Sequence, residues 1–514
     1  MGVMRFQVHP HEVVQDWPEW ESAYLTGLDG RVFPTRNELA GNLLRCTRHT
    51  SDSGKLHVAW PVPGFGRPVL STASLREFDS EYLLALELAR GKISELRDQT
   101  FQWEFAGMAI SQEYRAQLGE AFASFSRASA CRDDAVESSR LAHQAIIEAC
   151  TAAQMLGRSY TEQRENSRRL SSTHPPALLG CELDPSACQG SLHTDFFDAF
   201  TAASVPASWS RIEPVEGSYA WDAIDELVEC SQQSRRVVRA GPLVDFAPGG
   251  LPDWLAPWTA DFDNLQSFIC DFVETAVNRY AGRIRMWEVS ARANTGGGLS
   301  LTEEQRLALT ARTLEAAQRS DTEAQFFIRV EHPWGEYQSQ GGYRISPLQF
   351  VDALIRSRIG LSGVNLEIAI GCSPRGDRHR DLLAFSRLID QWSLLGVQLH
   401  VTLALPSSSA PDPQASTTPT PQRPLLGSDW DEATQAAWAA DYVSLLLAKP
   451  HITGVFWCHF HDGAPHRNPN AGIVRADGTP KPLLKVFQSM QHIEATPPGS
   501  DSHRLDGDGT WVEG

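Results

Sequence analysis

The spacing of apolar residues along this chain changes character more than once. Through residues 1–76, short β-type runs such as "KLHVAWPV" are interrupted by Pro and Gly, a pattern that predicts a small β-rich module. From about Ser80 the period lengthens. Tyr82, Leu86, Ala89, Ile93 and Leu96 form one helical stripe, and Tyr114, Leu118, Phe122 and Phe125 form a second. A third helix is predicted from Asp133 to about Arg164, opened by the Asp133-Asp134 pair. Stripes of this kind bury themselves against neighbouring elements, so residues 77–168 read as a helical packing region. "RLSSTHPP" (169–176) then reads as a linker.

Beyond it, "ALLGCEL", "VPASWS", "RVVRAGPLV", "RIRMWEVS", "AQFFIRV", "GVNLEIAI", "VQLHVTLAL" and "ITGVFWCHF" alternate with helical stretches. Eight strands with intervening helices predict an α/β fold, a (β/α)8 TIM barrel over 177–494 carrying the N-terminal β-rich and helical extension. "PSSSAPDPQASTTPTPQRP" (406–424) is a low-complexity insert after the seventh strand, expected to lie as a long flexible loop over the functional face. Residues 495–514 read as a disordered tail.

Composition narrows the class. The chain has 514 residues, 42% of them hydrophobic, with a formal net charge of −18 that disfavours nucleic acid and anionic membranes as partners. The first residues contain no apolar signal core, and no apolar run approaches a membrane span. Nine cysteines without a CxxC pair read as reduced thiols, so a cytoplasmic location is expected. Neither cofactor nor oligomeric state is indicated.

Several ordered motifs resemble glycoside hydrolase family 10, the xylanase-type barrels. They are "SWSRIEPVEGSYAWDAIDELV", "VVRAGPLVDFAPGGLPDWL", "FVETAVNRYAGRIRMWEV", "ITGVFWCHFHDG" and "GIVRADGTPKPLLKVF". The resemblance covers roughly residues 177–492 and none of the N-terminal third. It implies a retaining glycosidase with one Glu as acid/base and another as nucleophile. This chain departs from that pattern. Ala291 and Arg292 stand where the family has Asn-Glu on its fourth strand, and Leu403 falls within the stretch that matches the nucleophile motif. Ser204-Val205, Ser208, Gly241 and Asp245 replace sugar-binding positions, Trp457 survives, and Cys458 follows it. Arginine keeps its proton at neutral pH and cannot cycle as acid and base.

The expected function is therefore a carbohydrate-related protein that binds a glycan, an oligosaccharide or an anionic small molecule without the family's mechanism. Arg292 and Arg329 near strand ends suggest anion recognition, or alternatively ion pairs to Glu288, Glu331 or Glu367. Glu331 and Glu367 form a possible relocated catalytic pair, with Glu182 and Asp245 as further acidic residues at that face. Trp254, Trp287, Trp334 and Trp457 are candidate sugar-stacking surfaces, although Trp287 and Trp457 fit a barrel core equally well. Cys458, His459, His461 and Asp462 raise a metal-dependent alternative, with His332 and His400 as further ligands. His461 also counts as a binding candidate.

Overall fold

The structure, a computed structural model, describes residues 2–171, 177–373, 376–418, 426 and 430–495. Its centre is a closed parallel barrel. The strands are β1 (Leu178–Glu182), β2 (Ala202–Val205), β3 (Val237–Ala240), β4 (Met286–Ala291), β5 (Gln325–Glu331), β6 (Leu361–Ala369), β7 (Gln398–Ala404) and β8 (Ile452–Trp457). They lie in sequence order, with β8 pairing β1 and β3 pairing β4, so no edge remains open. A short strand, Val244–Asp245, extends the wall alongside the end of β4.

Helices between the strands cover the barrel because their apolar stripes face it. Two of them start with reciprocal capping, at Thr302 with Gln305 and at Ser346 with Gln349, which fixes where the chain leaves the mouth after β4 and β5. The barrel lumen departs from the usual filling of branched apolar side chains. Arg239, Glu288, Arg329, Asn365, Glu367, His400 and Thr402 are all buried on its strands.

The extension begins with two four-stranded sheets. One comprises Gly2–Gln7, Arg36–Ala40, Leu43–Arg48 and Tyr82–Leu83; the other comprises Tyr24–Thr26, Val32–Phe33, Lys55–Ala59 and Val69–Ser71. Tyr82 therefore closes a sheet and does not begin a helix, because it pairs beside Phe6. Three helices follow: α1 (Leu84–Phe105), α2 (Gln112–Ala130) and α3 (Ala135–Ser171). Phe122 was expected in the buried stripe of α2 and is instead 50% exposed, since Tyr114, Ala121, Ser124 and Ala128 form the packed face. On α3, Ala142, Ala145, Ala149, Ala152 and Ala153 are fully buried, and such small residues let neighbouring helices approach closely. The helix runs on to residue 171, and 172–176 of the expected linker lie outside the described residues, as does the expected tail from 496 onward.

The extension is fastened to the barrel by charged contacts, those of Lys92 and Arg380 buried and that of Arg158 at the surface. Lys92 on α1 lies 2.5 Å from Asp381 and 2.7 Å from Glu95. Arg158 on α3 makes a two-pronged contact with Asp441 at 3.0 and 2.8 Å. Arg380 is buried between the two parts, donating to the Tyr24 hydroxyl at 3.0 Å and pairing with Glu336.

Candidate functional site

The strand register brings the candidate charges together at the C-terminal end of the barrel. Ala291 is level with Arg329, Arg329 with Asn365, and Glu331 with Glu367. Deep in the lumen, Glu288 accepts hydrogen bonds from Arg329 and Asn365 and sits 3.5 Å from Arg239. Burial would raise its pKa, but Arg239 and Arg329 override that and hold it at about 2. The Arg239 guanidinium lies 3.4 Å from the centre of the Phe456 ring, and loss of water lowers its pKa to about 10. Gly180 makes room for that ring: a Cβ there would stand 2.5 Å from it.

Arg292 organises the layer above. Its backbone is left-handed, with φ of 56°, which turns the side chain back over the lumen as the chain leaves β4. The guanidinium lies 2.5 Å from Asp245, 2.5 Å from Glu367 and 3.5 Å from Glu331. Glu331 also pairs with Arg467 at 3.2 Å and accepts from Thr295. Burial favours the uncharged forms of these groups. For Glu367 the nearby Arg292, Arg329 and Arg467 reverse that effect and depress its pKa to about 2. Asp245, Glu367 and Glu331 likewise push the Arg292 pKa upward against its burial.

Above this network opens a cavity of about 530 Å³. Among the residues that line it, Arg239 pairs with Glu288 at 3.5 Å, and the fully buried Oε2 of Glu367 accepts no hydrogen bond among the described residues. Glu182 stands in the wall, and burial raises its pKa to about 7 despite Arg329, Arg211 and Arg239. Gln414, Ala415 and Ser416 cover one side. The expected flexible insert is tethered over its first part: Asp412 meets His466 at 2.9 Å and the Asn470 amide at 2.8 Å, and Ser416 N donates to the His466 carbonyl. Of the rest of that insert, residues 419–424 lie outside the described residues.

The expected site residues thus divide. Glu182, Asp245, Arg292, Arg329 and Glu367 line one cavity, while Glu331 closes its edge through Arg292 and Arg467. Glu331 and Glu367, the expected catalytic pair, are level on neighbouring strands; Arg292 contacts both carboxylates, and with Arg329 and Arg467 it holds Glu367 ionised. Arg292 takes the ion-pair arrangement that was the alternative to anion recognition, with Asp245, Glu331 and Glu367 around its donors. Trp254 donates to the Glu213 carbonyl at 3.0 Å and packs edge-on to Trp209 and Phe268, away from the cavity. Trp334 lies under Arg380 at 4.2 Å, again outside the cavity. Trp457 borders the cavity but is 1% exposed, its indole nitrogen donating to the Ala471 carbonyl, and Trp287 is equally buried. Neither offers an open ring face.

The residues of the metal alternative divide between two groups, His459 with Asp462 and His466, and His332 with Glu336 and Asp377. His461 turns to Ser186 at 3.2 Å and does not line the cavity. His400 is stacked on Phe327 in the lumen, and His332 pairs with Asp377 at 3.0 Å. His459 does approach Asp462 and His466. Asp462 also meets Lys481 at 2.6 Å and the Gly472 amide at 2.7 Å. The residues that the sequence pattern did not single out are Arg239, Arg467 and His466. A charged residue inside the apolar run "RVVRAGPLV" was the available signal for Arg239. Arg467 and His466 come from the loop after β8 and carry no such mark.

Residues 181–304, spanning β1 to just past the end of β4, match the family model described as glycosyl hydrolase family 10. That segment of the barrel is similar to glycosyl hydrolase family 10. Endo-1,4-beta-xylanase C of Paenibacillus barcinonensis is 27% identical over 124 residues, 23% of this chain and 11% of that protein. Endo-1,4-beta-xylanase 3 of Hypocrea jecorina is 33% identical over 81 residues, 16% of this chain and 22% of that protein. The chain thus spans about a tenth and a fifth of the length of these curated relatives. A solved family 10 structure from Paenibacillus barcinonensis aligns at 16% identity with a TM-score of 0.48, covering 62% of this chain and 96% of that one. The family 10 model ends within the barrel, and residues 1–180 lie outside it. Among the described residues, no helix is long and apolar enough to cross a membrane.

Proposed function

We propose that the barrel mouth binds a carbohydrate and does not cleave it by the family's retaining mechanism. One observation carries this reading. The mouth keeps a sugar-sized cavity lined by hydroxyl, carboxyl and guanidinium groups, among them Ser204, Ser208, Ser210, Glu182 and Arg211, while the carboxylates at its rim are engaged by arginines. Hydroxyl groups, which both donate and accept, complement a lining that mixes serine hydroxyls, carboxyl oxygens and guanidinium donors.

Retaining cleavage needs a free carboxylate to trap the sugar cation and an acid to protonate the leaving oxygen. At the position that resembles the acid/base stands Arg292, ion-paired and permanently charged. In the stretch that resembles the nucleophile motif, Leu403 is fully buried and has no nucleophilic atom. Glu182, with its raised pKa, is the one cavity carboxyl suited to carry a proton near neutrality, but the ionised carboxylate that would oppose it, Glu367, is held by two arginines. Calorimetric titration with xylobiose and larger xylo-oligosaccharides tests the reading. Ser208→Trp, which places a large ring in the cavity wall, should weaken binding at least about tenfold. Unchanged affinity in that variant would place the ligand elsewhere.

A further inference from the structure

A second and larger cleft, of about 930 Å³, lies between the N-terminal sheets and the loops that follow β5 and β6. The extension supplies one wall and the barrel the other. On the extension side, His57 stacks on Tyr24, with ring centres 4.8 Å apart and planes 3° from parallel. On the barrel side, Tyr337 and Tyr343 meet edge to face at 4.8 Å, and both are only half-buried. The relative position of the walls is fixed by the backbone hydrogen bond from Thr35 to Ser339 and by Arg380, which bridges Tyr24 and Glu336.

This cleft adjoins the barrel mouth. Glu331 and Thr295 line the cleft, whereas Arg292 and Arg467 line the mouth, and Glu331 pairs with both arginines. A single layer of ion-paired side chains separates the two spaces. Of the carboxylates that line the cleft, Glu19 pairs with Arg67, Glu336 with Arg380 and Glu331 with Arg292 and Arg467, and Glu21 is exposed. Charges paired in this way still accept hydrogen bonds from hydroxyl groups and give little net attraction for a carboxylated or sulfated chain. Half-buried tyrosine faces suit the apolar faces of sugar rings.

We propose that the N-terminal extension completes an extended site, in which a neutral oligosaccharide with one end in the barrel mouth runs over Arg467 and Glu331 and lays its distal units against Tyr337 and Tyr343. The inference rests on the carbohydrate reading of the mouth and adds the ligand's length, its neutrality and the partner module that holds it. It also gives the extension a role in binding, distinct from its packing against the barrel.

The test is calorimetric titration of the full chain with xylobiose and with xylohexaose. Xylohexaose should bind the parent more tightly, and Tyr343→Ala should cost about three- to tenfold in its affinity while leaving xylobiose unchanged. Retained xylobiose binding also reports that the variant is folded. Ser22→Trp, which fills the cleft from an exposed position on the extension, should remove the same length-dependent gain. Equal affinity of the parent for both oligomers, or equal losses for both in the variants, would overturn the extended site while leaving the mouth intact. Failure of both oligomers to bind the parent would overturn the carbohydrate reading and this inference with it.

Discussion

Arg292 is the residue on which the site turns. Three carboxylates converge on a guanidinium that is 3% exposed, so its removal leaves Asp245, Glu331 and Glu367 facing one another with reduced compensation. Breaking a buried ion pair from one side typically costs about 3–5 kcal/mol. Arg292→Ala should therefore lower stability by about that amount in urea unfolding, and a loss under about 1 kcal/mol would show the network to be loosely held. Glu182 gives a prediction with a defined pH window. Its pKa rises from the ordinary 4.5 to about 7 on folding because burial disfavours the charge. The folded state therefore holds a proton that the unfolded chain has released, and this residue's contribution to stability falls as pH rises through that interval and is level above it. Glu182→Gln should match the parent near pH 4 and exceed it by about 1–3 kcal/mol at pH 8. A difference independent of pH would contradict the assignment. The sequence disclosed Glu182, Asp245, Arg292, Arg329 and Glu367 at the mouth, because they lie on or just after barrel strands, and missed Arg239, Arg467 and His466. It did not disclose their partners, because pairing depends on register and on the left-handed turn at Arg292, neither of which leaves a residue pattern.

At the scale of elements, the barrel strands were legible because each is a short apolar run bounded by turn residues. The helices of the extension were legible in number but not in their faces. The buried stripe of α2 uses Ala121, Ser124 and Ala128, small residues that hydrophobic spacing undervalues, and this is why Phe122 misled. The tryptophans misled for a related reason: a large ring near a strand end serves packing as readily as stacking, and the choice rests on neighbours distant in sequence. α1 and α3 join the extension to the barrel, with Leu383 of the barrel inside the same apolar cluster as Leu96, Trp103 and Leu156. A truncated chain beginning at Ala177 exposes the barrel side of that cluster and leaves Asp381 without Lys92. It should be less soluble and melt several degrees lower than the full chain in scanning calorimetry, at roughly 2–4 °C per kcal/mol lost for a protein of this size. An unchanged melting temperature would mean that the extension folds and acts independently.

At the scale of the whole molecule, a (β/α)8 barrel whose first half is similar to glycosyl hydrolase family 10 has its lumen filled by alternating charges, and its mouth is flanked by a module from outside the matched segment. The carboxylates Asp245, Glu331 and Glu367 are used to neutralise arginines. The account stands on binding without turnover. The most direct measurement is chromatographic analysis of xylohexaose incubated with the full chain at saturating concentration and sampled over hours. The account predicts that the oligomer is recovered uncleaved, at the level of a heat-inactivated control. Shorter xylo-oligosaccharides that accumulate with time, and that disappear in Glu367→Gln or Glu182→Gln, would contradict it.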